Sequence, residues 1–280
     1  MNEKVKSPTP RIYLEKYLED FGKRSTVYTA LVEAITNAID AVRNLDGSIT
    51  GQIDVRIERD VTLIDGQNAP IRKIVIEDNG IGFTEDNRNS FNTLYSQFKS
   101  SEGGKGLGRM FYIKYFRDVS IESIYSDEGS YYSRNFRFGR KYDIIENEEN
   151  GHIAGDDLYL TGTTLTLANY VGKTAFNDEI GIFAHRILEK ILNYYVNSDL
   201  EMPKITIYDE DKSVCLDTLI GEDDLCDICK KDNGDFVIKG QKFHYQMFEL
   251  RRVHTQKSKI LLTANSKVVT GSKIEYYIPE

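Results

Sequence analysis

No apolar run in the chain approaches the roughly 18 residues that a membrane-spanning helix needs, and the opening stretch, Met1 to Pro10, is polar where a secretion signal is apolar. These two absences predict a cytoplasmic protein with no membrane contact. Cysteine is scarce: Cys215, Cys226 and Cys229 are three, an odd number that supplies no disulfide framework. Cys226 and Cys229 form a C-x-x-C pair. A zinc site needs two further ligands, only Cys215 and distant histidines are at hand, and no thioredoxin-like strand precedes the pair, so the sequence speaks against metal or redox use. Positive charge does not dominate either. A net charge of −8 and a pI near 5.2 disfavour a general nucleic-acid binder and leave only local basic patches at Lys23, Arg24 or Arg251, Arg252. Internal repeats and low-complexity linkers are absent.

What is present is enough for two domains: 280 residues, 40% hydrophobic and 11% aromatic, can build sizeable cores. Apolar residues recur at Val27, Leu31, Ala34, Ile35, Ala38 and Val42, the period of one buried helix face between Thr26 and Asn44. On the opposite side Glu33, Asn37 and Asp40 fall at i, i+4 and i+7, so a carboxylate, an amide and a second carboxylate project in one row. Such a row can be a solvated face. Here the residues between its acids include Thr36 and Ala34 rather than the Lys and Glu mixture that favours helical ion pairs, and two glycine-rich segments downstream suggest a different use.

The first is Asp78-Asn79-Gly80-Ile81-Gly82-Phe83. It ends a strand read over Ile71 to Glu77, and its two glycines imply a tight turn with positive φ. The second is Gly103, Gly104, Lys105, Gly106, Leu107 and Gly108, leading into a helix over Leu107 to Phe116, where backbone N–H groups would face an anion. It is not a P-loop, since Gly104-Lys105 is followed by Gly106, and no strand precedes it as a dinucleotide-binding turn requires.

Around these motifs, residues 11–21 read as a short helix or an arm that packs on a partner. Gln52 to Arg59 alternates as a strand; Thr84 caps a helix; Asp118 to Ser126 and Tyr131 to Phe138 form a hairpin about Asp127-Glu128-Gly129; Thr161 to Ala168 is a further strand. Next come a helix over 177–197 and strands at 204–208, 213–219, 235–239, 243–250 and 259–269. The expected class is α+β, with a largely antiparallel first domain.

Taken in order, Glu33-x3-Asn37-x2-Asp40, Asp78-x-Gly80-x-Gly82, Gly104-x-Gly106-x-Gly108 and Gly162-Thr163 resemble the four motifs of the GHKL, or Bergerat-fold, ATPases, which include DNA gyrase, the ninety-kilodalton heat-shock chaperones, histidine kinases and MutL. The resemblance covers about residues 20–168. It implies a two-layer α/β sandwich over 1–168, with an ATP lid over about 84–108, followed by a transducer-like α+β domain over 169–280 that could continue past Glu280.

By the same resemblance, Glu33 is the general base for water, Asn37 the Mg²⁺ ligand, and Asp40 a supporting residue. Asp78 accepts from the adenine amino group with Thr163 in support, while Gly80 and Gly82 let the backbone pass close to the base. Gly104, Lys105, Gly106, Leu107 and Gly108 line the phosphates. Lys257, in Gln256-Lys257-Ser258-Lys259, loosely resembles a γ-phosphate-sensing loop of the gyrase type; a solvated turn is the plainer reading. The activity implied is Mg²⁺-dependent ATP binding and slow hydrolysis, coupled to lid closure and to a nucleotide-dependent homodimer acting on a protein or DNA client, as in the heat-shock chaperone, MutL, gyrase and MORC-like branch. The alternatives are a nucleotide-gated binding module with little turnover and a histidine-kinase-type ATP-binding domain. The latter fits less well, since no histidine lies in a dimerising helix upstream.

Overall fold

A computed structural model describes residues 13–23, 25–45, 49–61, 68–92, 108–141, 143–155, 160–196, 201–221, 227–251, 259–264 and 267–273. Its helices are α1 (Leu14–Asp20), α2 (Val27–Arg43), α3 (Glu85–Asn92), α4 (Met110–Tyr115) and α5 (Ile180–Val196). The strands are β1 (Gln52–Arg59), β2 (Ile71–Asp78), β3 (Phe116–Asp127), β4 (Ser130–Phe138), β5 (Ile145–His152), β6 (Gly162–Tyr170), β7 (Lys204–Asp209), β8 (Lys212–Cys215), β9 (Ile220–Gly221), β10 (Ile228–Ile238), β11 (Gln241–Leu250), β12 (Lys259–Ala264) and β13 (Lys267–Lys273).

Eight strands form one sheet in the order β5-β4-β3-β6-β2-β1-β7-β8, antiparallel throughout except where β7 lies parallel to β1. The register explains why the sheet has one dry face. Ile53, Val55 and Ile57 of β1 stand opposite Asp78, Ile76 and Ile74 of β2. Ile76 and Ile74 stand opposite Leu165 and Leu167 of β6, which in turn face Ile121 and Val119 of β3. All of these apolar residues are buried, whereas the alternate positions Arg56, Val75, Glu77, Thr164, Thr166 and Glu122 are at least partly exposed. Leu31, Ile35 and Ile39 of α2 and Phe183, Ile187 and Ile191 of α5 complete the same core. This is an α+β architecture with a largely antiparallel sheet, as the sequence predicts.

The boundary expected at 168/169 falls inside this sheet. Residues 204–215 add its last two strands, and Arg59 of β1 locks β7 in place with a buried ion pair to Asp209 at 2.7 Å and donates at 2.7 Å to the Asp178 carbonyl ahead of α5. Two local expectations need correction, and one strand is unexpected. The stretch 259–269, read as one strand, is split between β12 and β13, which pair antiparallel with each other. The strand expected over 213–219 stops at Cys215, where a turn of 3₁₀ helix (Leu216–Leu219) begins. β5 has no sequence signal because it is a mostly exposed edge strand whose residues Glu146, Asn147, Glu149 and Asn150 need no apolar alternation.

Candidate functional site

At one end of the dry face the apolar pattern turns polar. Read across the sheet, Arg134 of β4 stands opposite Ser123 of β3, Ser123 opposite Thr163 of β6, Thr163 opposite Asp78 of β2, and Asp78 opposite Ile53. The row is knitted together: Ser123 Oγ donates to the Gly162 carbonyl at 2.7 Å, lies 3.3 Å from Thr163 Oγ1, and accepts the Phe83 N–H at 2.8 Å. Asp78 Oδ1 accepts the Gly80 N–H at 2.9 Å. Asp78 as a residue is only half-buried, yet desolvation dominates at its carboxyl group and pushes it up to about 7, against the opposing pull of N–H donors from Gly80 and Thr163.

The glycines here are needed for contact more than for conformation. Gly82 does take a positive φ of 76°, and a side chain there would strike the Ile124 carbonyl. Gly80 does not share the positive φ expected of it. Its lack of a side chain lets it pass α2, since a Cβ would come within 2.7 Å of the Ala41 backbone. The Ile81 N–H then donates to the Ala41 carbonyl at 3.2 Å, which docks the loop against the helix bearing Glu33, Asn37 and Asp40.

Along that helix Glu33 and Asp40 are half-buried and Asn37 is exposed. Asn37 Nδ2 lies 3.1 Å from Tyr112 Oη and 3.4 Å from Glu33 Oε1. An ionised carboxylate only accepts, so the amide atom turned towards it is the nitrogen, and Oδ1 faces away. Among the described residues no donor reaches Oδ1, and a neutral amide oxygen suits a hard cation such as Mg²⁺. Asp40 lies on the flank turned to α5, where its charge and, above all, burial raise the Tyr194 hydroxyl to about 12.

Gly108 sits directly against Glu33; a side chain at Gly108 would overlap the carboxylate. Next to it the buried Arg109 guanidinium lies 5.2 Å from the centre of the Phe91 ring. Burial pulls Arg109 down to about 10, partly offset by Tyr112 and Glu33, so it remains a cation at neutral pH. Tyr112 is driven far above the ordinary tyrosine range by burial and then by the Glu33 charge, and stays a neutral hydroxyl.

Arg134 and Ser123 are the residues that sequence reasoning missed. Arg134 is 1% exposed, donates to the Phe83 and Thr84 carbonyls at 2.9 and 3.0 Å, and pairs with Glu85 at the start of α3. Beside it Arg88 pairs with Glu148 at 2.6 Å. The sequence did hold a signal: both residues interrupt inward-facing positions of otherwise apolar strands, Val119-x-Ile121-x-Ser123 and Arg134-x-Phe136-x-Phe138.

The structure therefore sets Glu33, Asn37 and Gly108 together midway along α2 and docks the loop of Asp78, Gly80 and Gly82, with Thr163 beside Asp78, against the helix near Ala41, while Asp40 lies on the flank turned to α5. Gly104, Lys105, Gly106, Leu107 and Lys257 lie outside the described residues, as does Cys226 of the C-x-x-C pair; Cys229 is buried at the start of β10. No group of three His, Cys, Asp or Glu residues suited to a metal exists among the described residues.

Residues 22–123 match the family described as "Histidine kinase-, DNA gyrase B-, and HSP90-like ATPase". No curated protein matches the chain. Among solved structures, the 43K ATPase domain of Thermus thermophilus gyrase B in complex with an aminocoumarin is similar at 18% identity and a TM-score of 0.41. The match covers 68% of this chain and 45% of that one, so it spans less than half of its counterpart's length. The matched residues include the helix row Glu33, Asn37 and Asp40, the Asp78 loop and Gly108, so the chain carries in residues 22–123 a domain of the histidine kinase-, gyrase B- and HSP90-like ATPase type.

Proposed function

We propose that this protein binds Mg²⁺·ATP and hydrolyses it slowly. The observation that carries the reading is the juxtaposition of two unlike groups: a desolvated carboxyl group, Asp78, at one end of α2, and a carboxylate–amide pair, Glu33 and Asn37, further along the same helix. The first suits a base, the second a phosphate chain with its cation.

Asp78, held beneath Gly80 and beside Thr163, would accept a hydrogen bond from the exocyclic amino group of adenine. Guanine places a carbonyl there, so acceptor would meet acceptor in a poorly solvated site. Asn37 would hold Mg²⁺ through Oδ1; bound Mg²⁺ supplies charge neutralisation at the phosphates. Glu33, half-buried against Gly108, would take the proton of an attacking water, and a pure binder has no need of a base at that position. The Gly104–Gly108 segment would donate N–H groups to the phosphates, as part of a lid over 84–108 rooted on Arg134 at one end and on α4 at the other. Histidine kinases belong to the same family description, so ATP binding is the shared property and hydrolysis rests on Glu33.

The transducer-like role belongs in this reading to residues 169–280, whose first strands join the sheet of the ATP site and so can pass on movement. Lys257 is the proposed γ-phosphate sensor. A nucleotide-dependent homodimer with a protein or DNA client in the cytoplasm completes the proposal; no described helix is long and apolar enough to cross a membrane. Calorimetry with Mg²⁺ present tests the adenine assignment. ATP should bind at least about 10-fold more tightly than GTP, and Asp78→Asn should erase most of that preference. Equal affinity of the parent protein for both nucleotides would remove the base-reading role.

A further inference from the structure

An amide differs from a carboxylate as a metal ligand in one respect: only one of its two ends can bind the cation. A carboxylate presents oxygen however it turns, whereas Asn37 presents oxygen only while its nitrogen is engaged elsewhere. The contact from Nδ2 to Glu33, at 3.4 Å, is long and joins two side chains of the same helix face. The shorter contact, 3.1 Å, is to Tyr112 Oη. Tyr112 is 2% exposed, with its ring held edge-on to Phe138 at 6.2 Å, so its hydroxyl is fixed and has little water to turn to.

We infer that Tyr112 is a positioning residue that orients Asn37: by accepting from Nδ2 it keeps Oδ1 turned towards a bound divalent cation. The inference rests on the proposed Mg²⁺·ATP reading and extends it to a residue that touches neither metal nor nucleotide. It also gives α4 a second task. Gly108, two residues ahead of α4, and Tyr112 within it are four positions apart, so the chain segment that packs on Glu33 leads directly into the helix that sets the metal ligand.

The test is the Mg²⁺ dependence of ATP binding by the full chain, measured for the parent and for Tyr112→Phe, which keeps the ring and removes the hydroxyl. The Mg²⁺ concentration at half-saturation should rise about 3- to 10-fold, the worth of one neutral hydrogen bond. Nucleotide affinity in EDTA should not change. A merely structural role would weaken binding equally with and without the cation. In an Asn37→Asp background, where both ends are oxygen, Tyr112→Phe should produce no further shift in Mg²⁺ dependence. Should Tyr112→Phe fold poorly, the side-chain amide protons of Asn37 in the parent protein provide the readout by NMR: slow exchange with solvent is expected, and exchange at the free-amide rate overturns the inference. A parent protein that binds Mg²⁺·ATP, with an unshifted Tyr112→Phe, overturns the inference alone; a parent that binds no ATP overturns the functional reading as well.

Discussion

Gly108 and Glu33 are in such close contact that any side chain at Gly108 would occupy the space of the Glu33 carboxylate. The glycine is thus required by the acid beside it, and its φ lies outside the left-handed range. Because the overlap is with the far end of a flexible side chain, Gly108→Ala should fold, and the carboxylate should move. Displacing a catalytic group by about 1 Å costs on the order of 10²-fold in rate. Steady-state kinetics should show kcat down by that order with Tm within a few degrees of the parent; an unchanged kcat would mean that Glu33 does its work from another position.

Asp78 links the site to pH. Its value in the fold, about 7, lies above the ordinary 3.8, so between these values the folded protein holds a proton that the unfolded chain has released. Stability from this group is complete below about pH 4 and is lost as pH rises through about 7. Asp78→Asn has no such proton. Urea denaturation should therefore show the variant gaining on the parent between about pH 4 and pH 7, while the parent's advantage in ATP affinity grows as the folded carboxyl group ionises through about pH 7. Parallel stability profiles would show that the Asp78 carboxyl is not desolvated.

Arg134 should matter for stability more than any exposed residue of the chain. Its guanidinium satisfies the Phe83 and Thr84 carbonyls, and truncation to Met leaves them without donors at about 1–3 kcal/mol each, whereas the exposed Glu85 can turn to water. Arg134→Met should lose roughly 2–4 kcal/mol in chemical denaturation. Arg134→Lys should recover less than half, since one ammonium cannot reproduce a planar fork. A loss below about 1 kcal/mol would show that the root of the 84–108 segment does not depend on it.

Much of this architecture is legible in the chain because burial and periodicity coincide. The buried set of α2 follows the 3.6-residue repeat, and the row Glu33, Asn37, Asp40 falls on the remaining face. Strands with one dry face, such as β1, β2 and β3, alternate visibly. What escapes notice is structure that needs no alternation: β5, exposed along an edge, and the middle of β10, where Lys231, Asp232 and Asn233 are exposed in succession. In the site, Asp78 and the glycines carry a spacing that can be recognised. Ser123, Arg134 and Tyr112 do not, because they matter through strand register and through a helix separated from Asn37 by 75 positions. Their partners become apparent only once the sheet is assembled. The place of β7 in the large sheet escapes notice for the same reason: its parallel pairing with β1 joins residues about 150 apart.

Glu33 is proposed to act on water while Asn37 holds the cation, and one paired measurement separates the two roles. Single-turnover hydrolysis and Mg²⁺·ATP affinity should be determined for Glu33→Ala and Asn37→Ala beside the parent. Loss of a general base lowers the rate by roughly 10²- to 10⁴-fold, and removing a negative charge near a triphosphate should leave ATP affinity intact or tighter. Loss of a metal ligand should weaken Mg²⁺·ATP binding itself. The two variants should separate, Glu33→Ala in rate and Asn37→Ala in affinity; Glu33→Ala hydrolysing ATP at the parental rate, in protein free of contaminating ATPase, would rule out Glu33 as the base.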